Sequence, residues 1–195
     1  MLSKKEQLIF IDNDNNNTET NISMTFYDSY TNLEKYNYVH TMNQFGNPDT
    51  MYIDPIMDYY IVAHTIPKVK SNVFEVIPGK HNIISLKTPQ GELEFKMNSK
   101  TDYQYIVRKQ NSDSTLFVNN INNVKKFLTG AYDVELLTLP RMYFEDVKIE
   151  QNTKTTYTIP TPGIANIILP SKGYGGLYLK KADRIELIYP IDAKK

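Results

Sequence analysis

Tyr59-Tyr60-Ile61-Val62-Ala63-His64-Thr65-Ile66-Pro67 returns 73 residues later as Tyr132-Asp133-Val134-Glu135-Leu136-Leu137-Thr138-Leu139-Pro140. The match runs on past the proline: Lys68 meets Arg141, Phe74 meets Val147, Val76 meets Ile149 and Leu86 meets Ile159. A one-residue slip then brings Pro89-Gln90-Gly91 onto Pro162-Gly163. Few of these pairs are identical, but the apolar phase is kept. A fixed period with a constant hydrophobic phase is how repeated copies of one supersecondary unit look in sequence.

Working outward, the periodicity is two. Tyr132, Val134 and Leu136 share one face and Asp133 and Glu135 the other, and Tyr59, Ile61 and Ala63 occupy the same inner face in the earlier copy. Val147 and Ile149 alternate with Lys148 and Glu150, Tyr157 and Ile159 with Thr156 and Thr158, and Leu93, Phe95 and Met97 with Glu92, Glu94 and Lys96. Each segment reads as a half-buried strand. Turn signals separate them: Pro78-Gly79-Lys80, Pro89-Gln90-Gly91, Asn111-Ser112-Asp113-Ser114, Gln151-Asn152-Thr153 and Gly46-Asn47-Pro48-Asp49. Short strands at this spacing predict an antiparallel sandwich. One short helix is expected over Asn122–Leu128, ended by Gly130.

The repeat sets three expected segments: a first module over 1–90, a second over 91–163, and a partial third over 164–195. In the third, Ile167 and Leu169 follow Phe95 and Met97, and Leu177-Tyr178-Leu179 follows Tyr105-Ile106-Val107. Modules of this size bury too little surface to be very stable alone, so the copies are expected to share an interface and unfold together. A third copy cut short leaves an unpaired strand edge, which invites an oligomer joined through strand edges.

Composition removes several functions. The 195 residues are 41% apolar and 23% charged, ordinary for a globular chain. Lys plus Arg equals Asp plus Glu at 22 each, so no net field steers the chain to nucleic acid or to anionic lipid. No apolar run reaches the roughly 18 residues of a membrane span. The absence of cysteine removes disulfides, thiolate nucleophiles and Cys-based metal sites. No secretory leader is apparent, which predicts either a cytoplasmic protein or a piece of a longer one. The surplus of Asn, Tyr, Ile and Lys is what an A+T-rich genome imposes, and the tyrosine count is discounted accordingly.

Candidate chemistry is sparse. His40, His64 and His81 form no His-x-His or His-Glu-x-x-His pattern. By parity His64 lies on the solvent face, and Leu137 is its counterpart. Asp12, Asp14 and Asn16 offer hard oxygens at the alternate spacing of calcium loops, although Asn17 stands where an EF-hand needs glycine and Ser23 where it needs a bidentate acid. Calcium is therefore the one candidate cofactor; a solvated Asn-rich loop is the plainer reading. Lys172-Gly173-Tyr174-Gly175-Gly176 lacks the following helix of a phosphate cradle and reads as a turn or bulge. Tyr143, Tyr174, Tyr178 and Tyr189 are the exposed rings on which a sugar could stack.

The run Gly130 to Pro140, followed by Val147-Lys148-Ile149, Thr155 to Ile159 and Pro160-Thr161-Pro162-Gly163, resembles carboxypeptidase-regulatory-like and PEGA-type sandwich modules. With Val62 to Pro67 and Pro78-Gly79-Lys80-His81-Asn82, the tandem form is similar to repeats downstream of the von Willebrand factor A domain in bacterial envelope proteins. The resemblance implies an all-β chain of tandem small antiparallel sandwiches, Ig-like or transthyretin-like, with the last copy incomplete. The A domain's own metal motif is absent, since Asp28-Ser29-Tyr30-Thr31-Asn32 has serine in the wrong place. The function implied is non-catalytic: a module that spaces or docks a partner domain or protein at the cell envelope, periplasmic or on the surface. The alternative is a carbohydrate- or calcium-binding module.

Overall fold

The computed structural model describes residues 4–11, 21–42, 44, 45, 47, 48, 50–99, 101–168 and 172–192. Among them every regular element is a strand. The first group is β1 (Lys4–Ile11), β2 (Ile22–Asp28), β3 (Glu34–His40), β4 (Thr50–Ile53), β5 (Asp58–Ala63), β6 (Val69–Lys70), β7 (Phe74–Glu75) and β8 (Asn82–Lys87). The second is β9 (Gln90–Met97), β10 (Gln104–Lys109), β11 (Thr115–Asn120), β12 (Lys125–Leu128), β13 (Gly130–Leu136), β14 (Met142–Ile149) and β15 (Lys154–Ile159). A hairpin, β16 (Tyr174–Lys181) and β17 (Arg184–Asp192), follows.

One sheet has the order β4-β1-β8 and a second the order β3-β2-β5-β6, with β7 also on β5. The later strands form sheets ordered β12-β9-β15 and β11-β10-β13-β14. Both sets thus place their first strand between the fourth and the last, and their second strand between the third and the fifth. β1 runs antiparallel to β4 and parallel to β8. By contacts the chain divides into two compact units, Met1–Glu94 with Val124–Ala131 and Lys148–Thr155, and Phe95–Asn123 with Tyr132–Val147 and Thr156–Lys195.

In the first unit Ile22, Met24, Phe26, Ile53, Tyr59, Ile61, Ala63, Val76 and Leu86 form one buried cluster. Phe26 is its centre, with its ring 6.4–6.5 Å from those of Tyr36, Tyr59 and Phe74 at edge-on angles. In the second unit Phe95 takes that role, 4.9 Å from Tyr105, 5.3 Å from Phe144 and 5.2 Å from Tyr157. The alternation predicted around Tyr59, Phe95 and Tyr157 turns those rings inward, whereas β2, which carries Phe26, is not among the predicted strands.

The ladders agree in register. β2 sets Met24 against Ala63 and Phe26 against Ile61 on β5. β10 sets Tyr105 against Leu136 and Val107 against Val134 on β13. Each hairpin then slips at one place: between Phe26 and Tyr27 in β2–β3, between Val107 and Arg108 in β10–β11, and between Leu177 and Tyr178 in β16–β17. Every slip takes up one extra residue on the second strand, Lys35, Leu116 or Ile188. By this bulge Leu177 stands where Val107 stands, two positions from its expected match with Tyr105. A two-residue slip leaves side chains on their faces, so alternation alone could not detect it. Of the other expected pair in that segment, Leu169 lies outside the described residues.

Two expectations fail. No helix spans Asn122–Leu128: Ile121 and Asn122 form a turn, and β12 pairs Lys125 with Leu93 and Leu128 with Gln90. Asn122 takes a left-handed φ of 69°, which a helix cannot continue. Its side chain mimics a strand neighbour, accepting from Met97 N at 3.0 Å and donating to Met97 O at 3.1 Å. Asn122→Ala is therefore expected to cost about 2–3 kcal/mol, two lost hydrogen bonds plus a strained φ, measurable as a lower urea midpoint. The second failure concerns Glu94 and Glu135, expected to face solvent but 6% and 5% exposed. Each is covered by basic side chains: Lys154 Nζ sits 2.7 Å from Glu94, and Arg108 and Arg141 enclose Glu135.

Candidate functional site

Asp12, Asp14 and Asn16 lie outside the described residues. Among the described residues no group of three or more His, Asp or Glu is placed to hold a metal ion. The histidines fall in different settings: His40 is buried on β3, while His64 and His81 are exposed.

A charged cluster lies in the second unit, beside a cleft of about 430 Å³. Arg108 on β10 reaches Glu135 Oε2 at 2.8 Å, Arg141 donates to Oε1, and Tyr143 OH donates to the same oxygen at 3.4 Å. Burial pushes the Glu135 carboxyl up, but the hydrogen bonds and charges of Arg141 and Arg108 outweigh it and hold the group below the usual glutamate range. Asp133, on the same strand, is occupied by backbone: its oxygens accept from Asn111 N at 3.0 Å and Asp146 N at 3.2 Å. Hydrolysis by a carboxylate pair needs one acid raised and one base left accessible. Here Glu135 is lowered and Asp133 is engaged by backbone, which suits holding loops rather than transferring protons.

The sign of the Glu135 shift gives a pH prediction. A lowered folded pKa contributes stability above the unfolded value of about 4.3, and that contribution disappears as pH falls through the folded value. Glu135→Gln should cost about 1–3 kcal/mol at pH 7. Chemical denaturation across pH 2–7 should show the wild-type and variant curves converging at the acid end.

Asp28-Ser29-Tyr30-Thr31-Asn32 is the β2–β3 turn. Asp28 Oδ1 accepts from Tyr30 N at 2.9 Å and Thr31 N at 3.3 Å, an Asx-turn arrangement. The Thr31 hydroxyl and the Tyr30 N–H hold its carboxyl below the usual aspartate range. Burial pushes the Tyr59 and Tyr132 hydroxyls up, Tyr132 to about 12, so neither exchanges protons near neutrality. Tyr143, Tyr174, Tyr178 and Tyr189 are 54–73% exposed, as parity predicted. The glycine-rich run enters β16, where a Cβ on Gly176 would lie 2.6 Å from Leu187 Cδ1 and 2.9 Å from Tyr178 Cε2. Gly176 makes room for strand packing, whereas nothing lies within 4 Å of a Cβ added at Gly173 or Gly175. No helix among the described residues is long and apolar enough to cross a membrane.

No family model matches the chain, and no curated protein matches it. Among solved structures the chain is similar to the TIE protein of Bacillus anthracis, at 14% identity and TM-score 0.37 over 82% of this chain and 34% of that one. It is similar to the minor pilin of the gram-positive pathogen Streptococcus agalactiae, at 13% identity and TM-score 0.38, over 86% of this chain and all of that one. A streptococcal ancillary pilin shows 14% identity and TM-score 0.33, over 80% of this chain and 62% of that one. The chain spans about a third of the length of the first of these. At such scores the likenesses carry no argument about activity or partners.

Proposed function

We propose that the chain is a non-catalytic structural and interaction segment of a bacterial envelope or surface protein, built from tandem sandwich modules of the carboxypeptidase-regulatory-like type. One observation carries the reading: one ladder register recurs at Phe26 and Val107, and one bulge position recurs at Phe26, Val107 and Leu177. The charged residues around them do not recur. What repeats is scaffold, and chemistry needs convergent groups that a scaffold by itself does not supply.

Docking is assigned to the β16–β17 hairpin, which meets a protein partner, an adjacent domain or a second copy of the chain. Phe26 and Val107, at the bulge of the first two hairpins, are 1% and 0% exposed, whereas Leu177 at the same place is 39% exposed. Ile185 and Leu187 on β17 are 69% and 52% exposed. An apolar strand pair of this kind gains by burial against another surface.

Two measurements test the reading. Antibodies to the purified chain should find it in the envelope fraction of its source cells, accessible to protease added outside; recovery in the cytosol alone would refute the envelope assignment. Calorimetric titration with calcium and a glycan array should both be silent. Saturable heat with calcium would revive Asp12, Asp14 and Asn16 as ligands and turn the function to ion binding, and glycan capture through the exposed tyrosines would turn it to carbohydrate.

A further inference from the structure

The bulge fixes which residues correspond along the hairpins. Leu177 stands with Phe26 and Val107, so Gly175 stands with Met24 and Tyr105, and Leu179 with Asp28 and Lys109. Opposite the bulge position the second strand carries a ring each time: Tyr36 faces Phe26, Phe117 faces Val107 and Tyr189 faces Leu177. Leu177, Leu179, Tyr189 and Ile191 therefore form the kind of inner face that is covered in the two earlier hairpins.

In those hairpins the other edge of the leading strand is taken, by β5 antiparallel to β2 and by β13 antiparallel to β10. In register, Ala63 and Leu136 hold one place, Ile61 and Val134 the next, and Tyr59 and Tyr132 the third. All six are 0–3% exposed, so this strand closes the core against the leading one. Among the described residues β16 pairs with β17 alone. Its other edge presents the row of backbone donors and acceptors that β5 and β13 use elsewhere.

The surroundings of that edge suit a strand. Nothing lies within 4 Å of a Cβ built at Gly175, at the place where Met24 and Tyr105 are buried. An incoming strand meets no side chain from Gly175 and has space there for a large residue of its own. At the far end Leu179 lines a cleft of about 340 Å³ together with Leu139, Leu187 and Ile188. This apolar recess lies at the place that Tyr59 and Tyr132 take in the filled ladders.

We propose that the open edge of β16 binds an extended segment of a partner polypeptide, antiparallel, with tyrosine, an aliphatic residue and leucine at alternate positions opposite Leu179, Leu177 and Gly175. The proposal rests on the docking assigned to this hairpin and names what docks there: a strand joined by main-chain hydrogen bonds. A second copy of the chain fits less well, because its β5 and β13, which have the pattern, are held between β2 and β6 and between β10 and β14.

The test is an amide NMR titration of the full chain with a synthetic peptide of the sequence Gly130 to Pro140, in which Tyr132, Val134 and Leu136 have the required order. Saturable shifts should centre on Gly175 to Leu179, with slowed amide exchange in that stretch. Val134→Asp in the peptide, and Leu177→Asp in the chain, should each weaken binding about tenfold or more. Tyr178→Ser, on the opposite face of β16, should leave the affinity within about twofold. If Leu177→Asp unfolds the hairpin, the peptide variant decides. No saturable binding, shifts centred on β10, or equal affinity for the variant peptide would overturn the proposal. A dimer of the chain alone in sedimentation, with the β16 amides protected, would overturn it in favour of a second copy. The fractionation test of the envelope reading does not involve this edge, so a silent titration of an envelope-located chain would fail the strand proposal alone.

Discussion

Phe95→Ala should lower the stability of the chain by about 3–5 kcal/mol, the largest effect expected of any single truncation. Phe95 is fully buried, and three rings, Tyr105, Phe144 and Tyr157, meet it within 5.3 Å. Its removal loses the transfer free energy of the ring, opens a cavity among side chains that are themselves too rigid to close it, and forfeits aromatic contacts worth about 0.5–1.5 kcal/mol each. For a chain of this size the loss corresponds to a melting temperature lower by roughly 10 °C. The urea midpoint should fall with an unchanged slope, and amide exchange should quicken first along the ladder that pairs Val107 with Val134. Phe26→Ala, at the centre of the other ring cluster, should act comparably on the ladder pairing Phe26 with Ile61. An effect below about 1 kcal/mol would mean that Phe95 is not at a packed centre.

Gly91→Ala is the second large effect, and its cause is different. A Cβ at Gly91 would stand 2.1 Å from the carbonyl oxygen of Glu150 and 2.9 Å from Ile149 Cγ2. The first of these is backbone and cannot rotate away, so β9 must move from the 149–150 segment. The bonds at risk include Asn152 N to Gln90 O at 2.9 Å and Glu92 N to Thr153 O at 2.8 Å. A cost of about 3 kcal/mol or more follows from overpacking together with weakened pairing. Gly163→Ala is the control, since nothing lies within 4 Å of its added Cβ, and it should stay within about 0.5 kcal/mol of wild type. Equal melting temperatures for the two variants would show that β9 does not approach Glu150 so closely.

The strands of the 73-residue repeat were the most legible, while the equally buried β2 was not legible as a strand. Tyr132 to Leu136 alternate apolar and polar residues, Tyr59 to Ala63 keep the same inner-facing phase, and both lead to Thr-x-Pro, where the threonine hydroxyl donates to the proline carbonyl, at 2.5 Å from Thr65 and 2.7 Å from Thr138. Lys125-Lys126-Phe127-Leu128 was illegible for a physical reason. Two lysines, a phenylalanine and a leucine serve a helix as well as a strand, and what decides between them is pairing with Gln90 to Leu93, some 35 residues away. Glu94 and Glu135 misled because parity assigns a face without saying what covers it. The bulges escaped notice because an inserted residue leaves no composition signal in Lys35, Leu116 or Ile188.

The cleft lined by Ser23, His64, Gln90 and Lys125 was hidden for another reason. Parity placed His64 at the surface, where the structure puts it, but Ser23, Gln90 and Lys125 come from segments far apart in the chain. Only the ladders that bring β2, β5, β9 and β12 together make them neighbours.

The measurement that tests the central claim most directly is a set of interstrand NOEs in the full chain. The account predicts that Phe26 pairs with Ile61 and Val107 with Val134 in the same register, that Leu8 pairs with Ile84 in a parallel ladder, and that each hairpin slips by one residue after Phe26, Val107 and Leu177. Sequential amide contacts of a helix over 125–128, an antiparallel β1–β8 pairing, or different registers in the two central ladders would contradict it.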